Sequence, residues 1–431
     1  MPLPPDRSMR FAPLVDQPQP NRALRRMLAD ELARLQPAIA TSAAVCGAER
    51  YRKHFDSFAH ACLLLFHGLS RGASLRQSYA AFSACPGLVE LSGLATTRDT
   101  LAVSFSQFAA SNTSRPAAFL SQLLPAVLGR LERSDQSHAI PPDLLLLDST
   151  FLHVSLALAG WLPPSDQPRS AGVRLQCWYE PATELPLRTL ITTTHVNDVQ
   201  ALDVLLLEEP LQLAALAGRT LIFDRGFYSH RRFAMLRTAR IHFITRLQPQ
   251  ATVDDIVDRP IQVMFDPTAP LEPGELRVLA DQQITLGSPN NRAGAVLPAM
   301  RLVTAQVEPS AAAQRQGQTT QTYQLITDRF DLTPLEVVQG YRWRWQIEIF
   351  FRWLKSHLLL ERLLGYSANA IELTVTVAIL VHLFVVLAAR ALRTRRGTRL
   401  LALLPWALAH LSWRDLGERV PAHQLLLPLP P

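Results

Sequence analysis

LLLLDST, residues Leu144–Thr150, is where the chain stops reading as helices and starts reading as strands. Upstream, from Arg22 to about Leu131, apolar residues recur at helical spacing, as in Phe58, Ala61, Cys62, Leu65 and Leu69. A polar break, SDQSHAIPPD from Ser134 to Asp143, ends that texture, and Leu144–Leu147 then forms an apolar run of strand type that ends on Asp148. Two further runs, Val173–Tyr179 and Leu187–Thr194, lie on either side of the turn residues Glu184–Pro186, so an antiparallel meander is expected to start at Leu144. Beyond it the sequence predicts a helix over Gln200–Leu207, a buried strand Thr220–Phe223 ending on Asp224, a helix Ser229–Arg240 and a strand His242–Arg246.

Three antiparallel strands followed by alternating helix and strand is the order of an RNase H-like fold, a mixed α/β class. From Pro249 to Asp331 the texture changes again. Pro260, Pro267, Pro270, Pro273, Pro289 and Pro298 separate strand-like runs at Leu276–Leu279, Met300–Val307 and Thr322–Thr327, which reads as a β-strand-rich insertion. The expected organisation is therefore a flexible arm over 1–21 and a helical N-terminal domain over 22–140. The first part of the core follows over 141–248, the insertion over 249–331 and a glutamate-bearing helix of the core over 332–365. A helical C-terminal region over 366–431 ends the chain. No internal repeat is found.

The glutamate helix carries the chemistry. In GYRWRWQIEIFFRWLKSHLLLE, Gly340–Glu361, the residues Tyr341, Arg344, Glu348 and Lys355 fall within roughly 60° of one another at about 100° per residue. Trp343, Ile347, Phe350, Phe351, Leu354 and Leu358 occupy a separate apolar sector suited to packing inward. Taken alone, such a charged row is what many solvated helices present. Its lysine argues otherwise: of 43 basic residues only Lys53 and Lys355 are lysine, and one of the two stands in this row. Asp148 and Asp224, at the ends of strands that the expected order makes neighbours, bring two more carboxylates toward Glu348. Singly each aspartate reads as a strand-end cap. Together, three carboxylates can hold two divalent ions of the Mg²⁺ type, with Mn²⁺ as a substitute, about 4 Å apart as phosphodiester cleavage requires.

At these residues the sequence resembles the DDE transposases of the insertion-sequence-four group, whose hallmark is a Tyr, two residues, an Arg, three residues, a Glu, six residues and a Lys. Tyr341, Arg344, Glu348 and Lys355 match that spacing without deviation, Asp148 in LLLLDST matches the first aspartate, and Asp224 in LIFDRGFY the second. The resemblance covers about residues 144–365, with a weaker likeness over FDSFAHACLLLFHGLSRGASLRQS in the N-terminal domain. It implies that Asp148, Asp224 and Glu348 are catalytic metal ligands for DNA strand cleavage and strand transfer. It also implies that Tyr341, Arg344 and Lys355 hold phosphates beside the cut. Arg225 stands between phosphate contact and a surface salt bridge, and His195 and Asp198 read as turn residues. Implied partners are terminal inverted repeats and target DNA, bound by a homodimer in the cytoplasm at the nucleoid. Members that release the element through a hairpin stack a flipped base on an aromatic of the insertion. Residues 249–331 hold no Trp and only Phe265, Tyr323 and Phe330, so the release route stays open, as does stacking by Trp345.

The remaining composition narrows the alternatives. A formal charge of +7 is compatible with a nucleic-acid partner without establishing one. Arg22, Arg25, Arg26, Arg71 and Arg76 suit phosphate contact without marking a reading helix, and the cluster Arg390, Arg393, Arg395, Arg396 and Arg399 either holds DNA or ends a helix favourably. Cys46, Cys62, Cys85 and Cys177 are too widely spaced for a zinc ribbon and read as reduced thiols. The N-terminus lacks the apolar core of a signal peptide. Val375–Ala389 is nearly continuous in apolar character but falls short of the ~20 residues that cross a bilayer, so it reads as a buried core helix and no membrane partner is expected. The competing functions are a metal-dependent nuclease without strand transfer and an inactive DNA-binding descendant.

Overall fold

The computed structural model describes residues 22–49, 54–70, 73–97, 100–131, 140–155, 161–162, 170–193, 200, 202–204, 210–261, 271–288, 295–315, 317, 319–357 and 363–391. The chain divides into two compact units, one of residues 1–123 with 384–431 and one of residues 124–383. The arm expected over 1–21, Arg71, His195, Asp198 and Arg393–Arg399 lie outside the described residues, as do the side chains of Arg22, Arg25 and Arg26.

The first unit is helical: α1 (Arg22–Val45), α2 (Ser57–Leu69), α3 (Leu75–Ser83), α4 (Pro86–Leu91), α5 (Phe105–Ser114) and α6 (Ala118–Ser121), with a small hairpin of β1 (Thr96–Thr97) and β2 (Thr100–Leu101). The starts of three helices are written in the sequence. Asp56 accepts from the Ala59 amide at 2.7 Å, and Ser74 with Gln77 and Ser104 with Gln107 form reciprocal capping boxes that satisfy otherwise orphaned amides. Because α2 is apolar nearly all round, it is buried along its whole length. Its polar side chains accordingly find partners inside: His60 meets Asn112 and His67 meets Ser78, both at 2.8 Å.

In the second unit, α7 (Leu124–Leu131) precedes a meander of β3 (Leu144–Ser155), β4 (Ser170–Glu180) and β5 (Leu185–Thr193). Then come α8 (Pro210–Ala215), β6 (Thr220–Phe223), α9 (His230–Thr238), β7 (His242–Arg246), β8 (Val253–Asp258), β9 (Leu276–Leu286), β10 (Leu297–Val307), α10 (Ala311–Gln314) and β11 (Gln321–Thr327). The helices α11 (Pro334–Trp343) and α12 (Trp345–His357) follow, and then α13 (Ala368–Ala391), whose residues up to Leu383 belong to this unit and from Phe384 on to the first. One nine-stranded sheet takes the order β5-β4-β3-β6-β7-β11-β10-β9-β8. Within it β3–β4 and β4–β5 are antiparallel while β3–β6 and β6–β7 are parallel, so the first five strands have the order and directions expected from the sequence. The strands β8–β11 extend this same sheet, through antiparallel pairing of Leu325–Thr327 on β11 with Ile244–Arg246 on β7.

The parallel strands are buried on both faces, which is why LLLL and LIF are continuous apolar runs. Leu145, Leu147, Leu221, Phe223 and Phe243 pack with Phe233 and Leu236 of α9, and the Phe233 and Phe243 rings stack with centroids 4.5 Å apart. The opposite face receives α11. Gly340 permits the close approach: a Cβ at that position would come within 3.2 Å of Ile244 Cδ1 and 3.9 Å of Ile222 Cδ1. The start of α11 is fixed by a capping box of Thr333 with Glu336 and by Pro334 in the first turn.

Three expectations need correction. First, β3 does not end on Asp148 but runs to Ser155, because β4 keeps pairing with it past Cys177, the partner of Asp148, as far as Ser170. Second, the glutamate helix is two helices, α11 and α12. At the junction the Arg344 amide donates to Tyr341 O at 3.1 Å and the Ile347 amide to Arg344 O at 3.2 Å, three-residue bonds that tighten the turn. Third, the apolar helix is longer than the run Val375–Ala389: its span Ala368–Arg390, 23 residues, is long and apolar enough to cross a membrane, and 83% of its most apolar window is buried inside the structure.

Candidate active site

Register places the two aspartates. On the parallel strands β3 and β6, Leu147 pairs with Phe223, and Asp148 and Asp224 each follow one residue further, so the register brings the two chains together just before both aspartates. Phe223 ends β6, and Asp224 caps the short 3₁₀ turn Arg225–Phe227 by accepting from the Gly226 amide at 2.7 Å, so the strand-end role and any chemical role reside in one residue. Thr245 of β7 donates to Asp224 O at 3.3 Å, fixing the strand end laterally. Arg225 follows in that turn, half-buried.

Glu348 comes from the first turn of α12, which packs on β3. Ile347, Phe350, Phe351 and Leu354 are buried beneath the helix, as their spacing predicted, while Trp343 is half-buried and Trp345 is 51% exposed. The guanidinium of Arg344 joins two of the carboxylates, donating to Asp148 Oδ2 at 3.0 Å and to Glu348 Oε1 at 2.6 Å. Asp148 Oδ1 accepts from the Ser149 amide at 2.8 Å. The Asp148 carboxyl is raised to about 7, chiefly by burial, with Asp224 and Glu348 acting in the same direction and the Ser149 amide and Arg344 opposing them. Asp148 thus feels both other carboxylates electrostatically.

Tyr341 is buried, and its hydroxyl is raised by that burial and by Asp224 while Arg344 and Arg246 lower it. The Arg344 guanidinium carbon lies 5.7 Å from the Tyr341 ring centre, the Tyr341 ring 5.9 Å from that of Tyr323, and the Arg246 guanidinium carbon 5.2 Å from the Tyr323 ring. Arg246 and Tyr323 carry no signal in the sequence, because strand register and helix packing bring them here. Ile222 pairs with Ile244 on the parallel strands β6 and β7, and Arg246 ends β7 two residues further on. On the other side of Arg344, Lys355 lines a cleft of about 430 Å³ with Asp148, Ser149, Thr150, Glu348, Phe351, Arg352 and Ser356. The cleft thus joins two carboxylates to two cations.

The donor chemistry suits a hard divalent cation, since the three groups are carboxylates with mutual electrostatic influence. Among the described residues no group of three or more His, Cys, Asp or Glu side chains is gathered closely enough to hold a metal, and a guanidinium bridges two of the three carboxylates.

The sequence model of the transposase DDE domain matches residues 140–384, a span that begins just before β3, includes all three carboxylates and ends within α13. The chain belongs to the transposase DDE domain family. It is a DNA transposase, an enzyme that cuts DNA strands and joins them to new ones. This transposase is 26% identical over 280 residues to "Putative transposase y4zB" of Sinorhizobium fredii, covering 65% of this chain and 70% of that one. It is 21% identical over 263 residues to "Probable transposase for insertion sequence element IS5377" of Geobacillus stearothermophilus, covering 59% of each. Among solved structures it is similar to the piggyBac transposase in its synaptic complex with hairpin DNA, at 9% identity and a TM-score of 0.43, over 95% of this chain and 86% of that one.

Proposed function

We propose that this transposase is an insertion-sequence-four member that binds the terminal inverted repeats of its own element and moves it by cut-and-paste, with an RNase H-like core. The observation that carries the reading is that Asp148 and Asp224 follow the paired Leu147 and Phe223 while α12, which bears Glu348, packs on β3. Asp148, Asp224 and Glu348 would hold two divalent ions, Mg²⁺ with Mn²⁺ as a substitute. When bound, these ions stabilise the attacking and leaving oxygens of the displaced phosphodiester.

The remaining residues position the DNA. Arg344 offers a planar fork to phosphate oxygens and Lys355 a compact charge, on either side of Glu348. The ring of Tyr341 supports the fork from beneath, and Arg225 adds a phosphate contact beside Asp224. The helical unit contacts the terminal repeats, a homodimer holds the two ends together, and the protein acts in the cytoplasm at the nucleoid.

Incubation with duplexes taken from DNA flanking the gene, with Mg²⁺, tests this against Glu348→Gln. Cutting and joining by the parent chain alone is the expected result. Equal cutting and joining by both removes Glu348 from the chemistry, and cutting without joining by the parent replaces transposition with plain nuclease action.

A further inference from the structure

Two of the oxygens best placed to receive a cation already serve one. Arg344 Nη1 donates to Asp148 Oδ2 at 3.0 Å and Nη2 to Glu348 Oε1 at 2.6 Å, so one rigid fork closes the gap between β3 and α12. All three side chains are largely sheltered, with 16%, 15% and 29% of their surfaces exposed for Arg344, Asp148 and Glu348, so water screens these pairs less than it does surface pairs. The Tyr341 ring backs the guanidinium, and the tight turn between α11 and α12 sets Arg344 one helical turn from Glu348. A divalent ion bound through these two carboxylates competes with the guanidinium for their charge, and two-point ligation by either one would take an oxygen the guanidinium now holds.

The same fork matches a phosphate, and the cleft beside it carries Arg352 and Lys355, which draw a polyanion toward it. We propose that Arg344 is a lock on the metal site: in the DNA-free chain it bridges Asp148 and Glu348 and opposes loading of a divalent cation, and an arriving DNA phosphate draws it off. Metal loading then follows DNA binding, and by reciprocity the loaded metal tightens the grip on DNA. The effect confines cleavage chemistry to chains that already hold substrate. The proposal rests on the metal and phosphate assignment of the preceding section.

The test is calorimetric titration of Mn²⁺ into the DNA-free full-length chain and its variants, a readout independent of cleavage. Arg344→Ala is expected to bind Mn²⁺ at least about tenfold more tightly than the parent, and Arg344→Lys, which keeps the charge but not the fork, to fall between them. Arg352→Ala separates the lock from the general field: it removes a cation from the same cleft and is expected to change affinity by less than about threefold. Duplex DNA flanking the gene is expected to tighten Mn²⁺ binding by the parent and to leave Arg344→Ala unchanged. The lock is overturned if Arg344→Ala binds no more tightly than the parent, or if Arg352→Ala gains as much. Asp148→Asn distinguishes that failure from failure of the underlying assignment: loss of Mn²⁺ binding in this variant keeps the metal site while the lock falls, and unchanged binding removes both.

Discussion

Asp148 and Asp224 each lie one residue beyond Leu147 and Phe223, which pair on the parallel strands β3 and β6. Strand pairing, not proximity in the chain, thereby brings the two carboxylate-bearing positions to neighbouring strands. Replacing either with Asn is expected to lower strand cleavage by at least about a thousandfold while leaving the far-ultraviolet circular dichroism unchanged, since neither carboxylate supports the apolar core. Cleavage by Asp224→Asn within about tenfold of the parent would remove Asp224 from the site and leave it only its capping role.

If the three carboxylates converge on divalent ions, loading them stabilises the folded chain by linkage. Mn²⁺ or Mg²⁺ is expected to raise the thermal midpoint of the parent and to leave that of Asp148→Asn combined with Glu348→Gln unmoved. Differential scanning fluorimetry reads both, and an unmoved parent at millimolar metal counts against the donor set.

Arg301 is 1% exposed and is tied on every side: it makes a two-point pair with Asp281 at 2.8 and 2.9 Å and donates to Arg329 O and Leu332 O at 2.8 and 2.6 Å. It joins β9 and β10 to the loop that leads into α11, so the added strands hold the helix pair in place. Arg301→Ala leaves Asp281 buried with Arg259 as its remaining ion-pair partner and is expected to cost about 3–5 kcal/mol. Urea unfolding measures this, and a loss below about 1 kcal/mol would show that the pair is dispensable.

His382 of α13 is held neutral. Burial lowers it to about 4, only partly offset by its hydrogen bond to Glu184 O at 3.1 Å, and the rings of Phe350 and Trp353 pack edge-on against it. With the folded value below the unfolded one of about 6.5, the unfolded chain binds the extra proton between these values. Stability from this site is therefore complete above pH 6.5 and falls as pH drops toward 4, by about 3 kcal/mol in all. His382→Leu is expected to flatten that part of the acid limb of the stability profile, and a profile identical to the parent's would refute the assignment.

Gly340 lies where α11 crosses β6 and β7, against Ile244 and Ile222. Gly340→Leu forces the helix away from the sheet and is expected to cost about 1–3 kcal/mol by overpacking. Because α12 follows directly, cleavage should fall more than stability alone explains. Cleavage per folded molecule equal to the parent's would mean that α12 is positioned independently of α11.

Much of this was legible in the sequence because local rules govern it. Apolar runs without alternation, LLLL and LIF, signal strands covered on both faces, and the Thr333–Glu336 capping box marks the start of α11. The spacing of Tyr341, Arg344, Glu348 and Lys355 and the two strand-end aspartates likewise follow from residue order alone. Other features depend on what lies opposite. The end of β3 was misread because pairing with β4, not the residues of β3, carries it to Ser155. The continuous apolar sector could not reveal that the helix tightens at Arg344, since a three-residue hydrogen bond leaves the side-chain pattern almost unchanged.

The sequence by itself determined the strand and helix inventory of the core, the candidate carboxylates and the cationic row, because periodicity, caps and spacing are properties of neighbours along the chain. Only the tertiary structure decided that β8–β11 extend the core sheet, that Arg246 and Tyr323 stand beside Tyr341, and that Arg344 bridges Asp148 and Glu348. Those relations join residues dozens to hundreds of positions apart, and strand register and helix packing, which no local pattern encodes, set the distances between them.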